Sequence, residues 1–313
     1  MRYTNILLLA IAEVVYGTPP AMTGADAIQT SNLKCMPLEG STVPWNRDRP
    51  AFGNDIAFHV GVHVAVEFDV ALVGSGTLGT APGWGKLLIA CGCTETVVAV
   101  TSVKYKPNSA STDSVAIKFY LDGQLHALSG CKGTFSIKTD SQGIPFLHFK
   151  FIGIWSDPTS EANPTGLTGW NAFQQPEPVT FDNTAAINLH SYDAVLRTFN
   201  FEQGNVLEYF DNPGEQFVDI VDRESKASIT VIAPVLSSKN YFTAAKANTL
   251  GNLKLEHGTV SNKLVFFEAA DNRVQLLQPK YGEYSGRATL EGNLNFVPTT
   301  ALDDEWELRL AAA

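Results

Sequence analysis

The sequence predicts a mainly β protein made of two similar units, each with one short helix. Two observations support this prediction. One stretch alternates apolar and polar residues over fifteen positions, and the order of predicted elements in the first half recurs in the second half. The composition is typical of a folded globular chain, because 44% of the 313 residues are hydrophobic and 17% are charged. This length accommodates two domains of roughly 150 residues each.

The clearest periodic pattern is FHVGVHVAVEFDVAL, at residues 58–72. Every second residue from Phe58 onward is apolar, and the residues between them include Glu67 and Asp69. A period of two indicates a β-strand with one buried face and one wetter face. At about 3.3 Å per residue, the strand is about 50 Å long.

Shorter patterns predict the remaining elements. They place strands at 115–121, 124–128, 134–138, 146–155 and 306–310, hairpin turns at Asp122-Gly123 and Asp271-Asn272, and short helices at 84–90 and 241–247. Residues 156–179 are rich in Pro, Gly and small polar residues and predict a linker or extended loop.

Paired segments indicate an internal duplication. LKCMPLEGSTVPW (33–45) resembles LRTFNFEQGNVLEY (196–209), AVEFDVAL (65–72) aligns with ASITVIAP (227–234), and LHFKFIGIW (147–155) aligns with TLEGNLNFV (289–297). We therefore divide the chain into an N-terminal arm (1–26), a first β unit (27–160), a linker (161–185) and a second β unit (186–313).

The N-terminus, MRYTNILLLAIAEVVYGTPP, contains only seven uninterrupted apolar residues between Asn5 and Glu13. This is the lower bound for the apolar region of a secretory signal, so we expect an ordered arm and no cleaved signal peptide. No apolar run reaches the ~18 residues of a membrane-spanning helix.

Chemical motifs are weak throughout. Gly74–Gly79 matches G-x-G-x-x-G, but hairpins follow it instead of the alternating strands and helices of a nucleotide-binding fold. His59 and His63 would lie about 13 Å apart on a strand, too far to share a metal ion. The four cysteines show no zinc-site spacing and predict structural thiols. We expect no catalytic residue, no metal and no cofactor, and hence no enzyme.

The blocks LLLAIAEVVYGTPPAMTGADAI, PLEG and APGWGKLLIACGCTET, together with the ending YSGRATLEGNLNFVPTTALDDEWEL, resemble the major tail tube proteins of long-tailed bacteriophages. The likeness is greatest to the Mu-like, non-contractile group. It touches most of the chain, and the N-terminal block is its most specific part.

The resemblance implies β-sandwich or half-barrel units with a flanking helix, rings whose inner sheets join into one barrel, and stacked rings that conduct DNA from capsid to host. Six units per ring is the family pattern, so three two-unit chains, or else six chains, complete a ring. Expected partners are other copies of the chain, a tape measure protein, and tail terminator and distal tail proteins. DNA would pass without specific binding, no membrane is involved, and the location is the virion after assembly in the host cytoplasm.

On this basis we expect an acidic bore, which offers passing DNA no phosphate contacts. The net charge of −10 agrees with such a lining. The residues expected to face the lumen are Glu67, Asp69 and Glu291. The apolar arm has no visible core of its own and is expected to contact the next ring through Ile6, Leu7, Leu8, Leu9, Val14, Val15 and Tyr16.

The alternative class is a carbohydrate-binding or adhesion module, since tandem β-sandwiches often have that role. It requires a shallow aromatic site, whereas the five tryptophans are scattered along the chain.

Overall fold

A computed structural model describes residues 1–260 and 262–311, and it is mainly β. The strands of the first half are β1 Ile6–Ala12, β2 Ala27–Ile28, β3 Ser31–Pro44, β4 Ala57–Ala71, β5 Cys93–Val98, β6 Ser102–Pro107, β7 Val115–Leu121, β8 Gln124–Asp140, β9 Phe146–Trp155 and β10 Thr159–Ser160. Those of the second half are β11 Ile187–Leu189, β12 Tyr192–Ala194, β13 Leu196–Glu202, β14 Asn205–Asn212, β15 Glu215–Arg223, β16 Lys226–Ile232, β17 Leu250–His257, β18 Leu264–Tyr284, β19 Arg287–Phe296 and β20 Glu307–Ala311. The helices are α1 Gly85–Ala90 and α2 Tyr241–Lys246, and 3-10 turns lie at Gly24–Asp26 and Thr168–Ala172.

Both halves build the same four-stranded antiparallel sheet. In the first half the order is β3-β4-β9-β8, and in the second half it is β13-β16-β19-β18. The two sheets meet where β13 pairs with the C-terminal part of β8, with Phe201 opposite Ile137. The result is one eight-stranded sheet, β3-β4-β9-β8-β13-β16-β19-β18, which we call the joined sheet.

The strands β8 and β18 bend out of the joined sheet into a second layer. The N-terminal part of β8 pairs with β7, and the N-terminal part of β18 pairs with β17 and β20. Residues with positive φ lie near each bend, namely Gly130 (57°) and Asn272 (62°). Local backbone kinks of this kind let one strand serve two sheets.

This bending corrects two sequence predictions. The separate strands expected at 124–128 and 134–138 are parts of the single strand β8. The hairpin turn expected at Asp271-Asn272 is wrong, because both residues lie inside β18 and the chain turns after it, at Ser285 and Gly286. A polar pair that includes one residue with positive φ occurs at a bend as readily as at a turn, so the sequence signal was ambiguous.

Other predictions are confirmed. The long alternating strand is β4, the short helices are α1 and α2, the Asp122-Gly123 hairpin joins β7 to β8, and the last strand is β20. When the two halves are matched by their strand pairing, however, the corresponding residues differ by one position from two of the sequence alignments. Val66, opposite Cys35, corresponds to Ile229, opposite Phe199.

An aromatic cluster fills the space between the layers beneath the β8–β13 pairing. Phe201 contacts the rings of Phe135, Phe267 and Trp306, with centroid distances of 5.9, 4.6 and 5.3 Å. These residues come from both halves and are all buried. Burial of large aromatic side chains is a major source of stability, so this cluster holds the two halves together.

The N-terminal segment has a core after all. As β1 it pairs with β7 over its whole length and with β2, and Leu7, Leu8 and Leu9 are buried. This corrects the expectation of an arm without its own packing. The apolar run is short because it is one strand of the second layer.

Phe201→Ala is expected to lower the free energy of unfolding by about 3–5 kcal/mol, because it opens a cavity in the aromatic cluster. Phe181→Ala, which truncates an exposed ring, should change it by less than about 0.5 kcal/mol. Chemical denaturation followed by tryptophan fluorescence measures both. Equal midpoints for the two variants would contradict the role assigned to the cluster.

Candidate assembly surface

The joined sheet has one face against the core and one polar face. Glu67, Asp69 and Glu291 lie on the polar face, so all three predicted lumen residues share one face although β4 and β19 are five strand positions apart. The face follows from the register, since Glu67 lies opposite both Lys34 and Lys150. Residues paired across antiparallel strands share a face.

Each of these carboxylates has a nitrogen partner. The side chain of Glu67 lies 3.2 Å from Lys150 Nζ, and that of Glu291 lies 3.1 Å from Lys280 Nζ. Asp69 lies 2.6 Å from the Nδ1 of His148.

The polar face is therefore of mixed charge. Its carboxylates are Glu67, Asp69, Asp140, Glu202 and Glu291, and its lysines are Lys34, Lys138, Lys150, Lys226 and Lys280. This modifies the expectation of an acidic lining. The three acids share this face, but the sequence did not reveal that lysines from neighbouring strands would stand beside them; a position in a lumen remains a prediction.

Two edges of the joined sheet have no partner strand among the described residues. One is β3, which pairs only with β4, and the other is the C-terminal part of β18, which pairs only with β19. The carbonyl of Ala288 accepts from the amide of Ala233, so Ala288 points toward β16. Its partner Glu283 therefore directs its own amide and carbonyl to the free edge. Free strand edges of this kind are sites for pairing with another chain.

A long hairpin extends beyond the end of the joined sheet, because β3 and β4 continue past the last β9 pair at His63. It comprises residues 40–61, the outer parts of β3 and β4 with their loop, and we call it the first hairpin. Its exposed apolar side chains are Val43, Trp45, Phe52, Ile56, Phe58 and Val60. Hydrogen bonds from Arg47 lower the pKa of Asp55 to about 2, which keeps an ion pair at the tip of the hairpin. Exposed apolar groups at this density indicate a contact surface.

The corresponding hairpin of the second half, β14–β15, is packed against the first half. The ring of Tyr209 lies 5.0 Å from that of His63, and Lys132 Nζ lies 2.7 Å from Asp219. Val218 is buried, and its amide donates to the hydroxyl of Tyr16 at 2.6 Å. We call this the second hairpin. The sequence placed it in a repeat, but it did not show that the hairpin crosses to the other unit.

The fold buries some of the residues expected to contact the next ring and exposes others. Leu7, Leu8 and Leu9 are buried in the protein's own core, and Ile6 is half-buried. Val14 and Val15 are exposed, whereas Tyr16 is held by the carbonyl of Gly130 and the backbone of Val218. Contact with another ring remains a prediction for the exposed pair.

The cysteines and the glycine-rich loop are parts of the folded structure. Within residues 1–260 and 262–311, no cluster of His, Cys, Asp and Glu could hold a metal ion, and neither α-helix is long enough to cross a membrane. All four cysteines are free. Burial raises the pKa of the Cys35 thiol to about 12 and those of Cys91 and Cys131 well above the usual value. The glycine-rich loop at Gly74 and Gly76 bonds its backbone to the turn at 262–263.

The structure is an open two-layer β protein, and its free sheet edges and exposed apolar hairpin are features that favour association with further strands. Comparison with known proteins identifies the family. The model of the phage tail tube protein family matches residues 4–298, which is nearly the whole chain. The chain therefore belongs to the phage tail tube proteins. No curated protein matches it.

Glu67→Gln is expected to change the free energy of unfolding by less than about 1 kcal/mol, because the Glu67–Lys150 pair is solvent-exposed. Asp219→Asn should cost more than about 1 kcal/mol, because it leaves the buried ammonium of Lys132 without its charged partner. Thermal unfolding at one pH compares the two. A larger loss for Glu67→Gln would show that the polar face contributes to folding.

Proposed function

We propose that this protein is a structural tail tube subunit that polymerises into stacked rings, and that the rings form the hollow tube through which the viral genome passes. Membership of the tail tube family supports a structural subunit that self-assembles. The path of DNA, the ring symmetry and the long, non-contractile tail are parts of the proposal.

The observation that carries the proposal is the seam between β8 and β13. In the repeated topology, β8 corresponds to β18 and β13 corresponds to β3. The two free edges of the joined sheet are therefore the same pair of edges that already meet inside the chain. A second copy can place its β3 against the free edge of β18 as β13 lies against β8.

The seam also supplies the register of this contact. The amide of Gln203 donates to the carbonyl of Phe135. Counting along the repeated strands, Glu39 corresponds to Gln203 and Tyr281 corresponds to Phe135. We expect the amide of Glu39 in one copy to donate to the carbonyl of Tyr281 in the next.

A ring of three copies agrees best with two units per chain, and we propose it in preference to six copies. Three copies of the eight-stranded joined sheet give 24 strands (3 × 8) in one closed barrel. Closure removes both free edges, which otherwise invite uncontrolled pairing. Each chain contains both units of the duplication. One of every two seams in the ring is therefore the β8–β13 pairing, which forms when the chain folds.

The polar face would line the bore, because the second layer and both helices lie on the opposite face of the joined sheet. Glu67, Asp69 and Glu291 would then face the lumen, as the sequence predicts. Ion pairing with neighbouring lysines and the overall charge of −10 would both limit the phosphate contacts of passing DNA.

The remaining roles follow from the tube. Its ends would meet tail terminator and distal tail proteins, and a tape measure protein would occupy the bore during assembly. The protein would assemble in the host cytoplasm and reside in the virion, without a cofactor and without catalysis. The exposed Val14 and Val15 are the part of the N-terminal segment available for contact with another ring.

Glu283→Pro is expected to abolish ring and tube formation, because proline removes the amide at the free edge of β18. Glu283→Thr is the matched control, since both substitutions lose the side-chain bond to Gly286 but threonine keeps the amide. Negative-stain electron microscopy of the purified proteins measures assembly, and circular dichroism measures folding.

We expect the wild-type protein and the Glu283→Thr variant to form rings with a central hole. The Glu283→Pro variant should fold but should not assemble. A wild-type protein that remains a monomer at all concentrations would contradict the proposed function. If that monomer bound a sugar on an array, the carbohydrate-binding alternative would replace it.

A further inference from the structure

We infer that the first hairpin of each chain folds onto the second unit of the neighbouring copy in the ring, in the way that the second hairpin lies on the first unit of its own chain. The inference rests on the proposed ring, and it names the surface that recognises the next copy. The occupant of that surface is a second copy of this chain.

The strands of the two hairpins correspond to each other, although their loops differ. Both begin at a glycine with positive φ, Gly40 (140°) and Gly204 (74°). Ser41 lies opposite Val60, and Asn205 lies opposite Arg223. Along the outgoing strands, Trp45 occupies the position of Tyr209 and Arg47 that of Asp211. On the return strands the match follows the cross-strand pairs: Pro44 lies opposite Ala57 and Glu208 opposite Asp219, so Ala57 matches Asp219 and Phe58 matches Ile220, with Val221 as one additional residue at a bulge.

The two hairpins differ in what covers them. Ile56 corresponds to Val218, which is 0% exposed, yet Ile56 is 53% exposed. Phe58 is 49% exposed, whereas its equivalent Ile220 is half-buried and lies against Gly92. Apolar groups that are covered in one repeat and bare in the other indicate that the first hairpin lacks its binding surface in the single chain.

The position of the seams identifies that surface. The second hairpin continues from β13 and lies on the unit that supplies β8, across the seam. The first hairpin continues from β3, and in the ring the strand across from β3 is β18 of the next copy. The first hairpin would therefore lie on the second unit of that copy, over β16, β18 and the turn after α2.

The matching positions of that unit carry complementary chemistry. Tyr209 packs on His63, and the equivalent pair is Trp45 with Lys226 of the neighbour, which is a favourable cation–π pair. Asp219 pairs with Lys132, and the equivalent pair is Ala57 with Leu277, two apolar groups. The ion pair at the seam within the chain is therefore replaced by two apolar groups at the proposed seam between copies.

Two further positions agree. The amide of Gly61 donates to Asp211 at 3.1 Å. Its equivalents are Glu224 of the neighbour and Arg47 of the hairpin, which have opposite charges. Gly92 follows α1 with φ 74°, and its equivalent Asn248 follows α2 with φ 53°, so Phe58 would pack at that turn.

Cross-linking tests the contact directly. Ala57→Cys and Leu277→Cys in one chain, with Cys35→Ala to remove the half-buried thiol, should give disulfide-linked dimers and trimers when assembled protein is mildly oxidised. The three other native cysteines are buried. Each single variant, and Ala57→Cys combined with Val100→Cys at an exposed turn, should give monomers on a non-reducing gel. Tubes of normal appearance without linked chains would overturn the inference and leave the proposed function intact.

A charge exchange tests it without cysteine. Arg47→Glu should raise the critical concentration for assembly by about tenfold, because it places a carboxylate opposite Glu224 of the neighbour. A tenfold change corresponds to ~1.4 kcal/mol. Arg47→Glu combined with Glu224→Arg should restore the wild-type concentration. Arg49→Glu is the matched control, because Arg49 also pairs with Asp55 but lies outside the proposed contact. Equal losses for Arg47→Glu and Arg49→Glu with no rescue would overturn the inference, whereas absence of wild-type rings would refute the proposed function itself.

Discussion

Backbone pairing between β8 and β13 is the constraint on which the rest of the structure depends. It joins two separate four-stranded sheets into one and sets their relative register through ordinary antiparallel hydrogen bonds. Phe201 and Phe135 pack directly beneath it, so the seam is supported by the core and not by the backbone alone. Because the chain is duplicated, a seam inside the molecule leaves the same pair of edges open at its two ends.

The second layer leaves the two edges of the joined sheet free to pair. The bends in β8 and β18 carry half of each strand away from the joined sheet, and β20 connects the two halves of that layer by pairing with both β6 and β18. The edges themselves are protected against indiscriminate pairing. Pro37 lies on β3, where it removes a donor, and Lys280 stands on the free part of β18. Selective association then requires a partner whose register accommodates these residues.

In the proposed ring, recognition between copies would be divided between two kinds of surface. Strand edges would supply directional hydrogen bonds that any β edge could satisfy, whereas the first hairpin would supply side chains that only the matching unit accommodates. The second hairpin shows how such a contact is built, with Tyr209 on His63 and Asp219 on Lys132. Differences between the two repeats at those positions distinguish the seam within the chain from the proposed seam between chains.

The sequence by itself determined the strand content, the long strand β4, both short helices and the duplication, because alternation and turn residues are local signals. It misread Asp271-Asn272 as a turn and displaced two repeat alignments by one residue, since a slip of one in a period of two changes only which face is buried. Only the tertiary structure decided that β1 belongs to the core, that lysines stand beside Glu67 and Glu291, and that one hairpin is covered while its equivalent is exposed. Those outcomes depend on which strands become neighbours, and long-range pairing leaves no periodic trace in the chain.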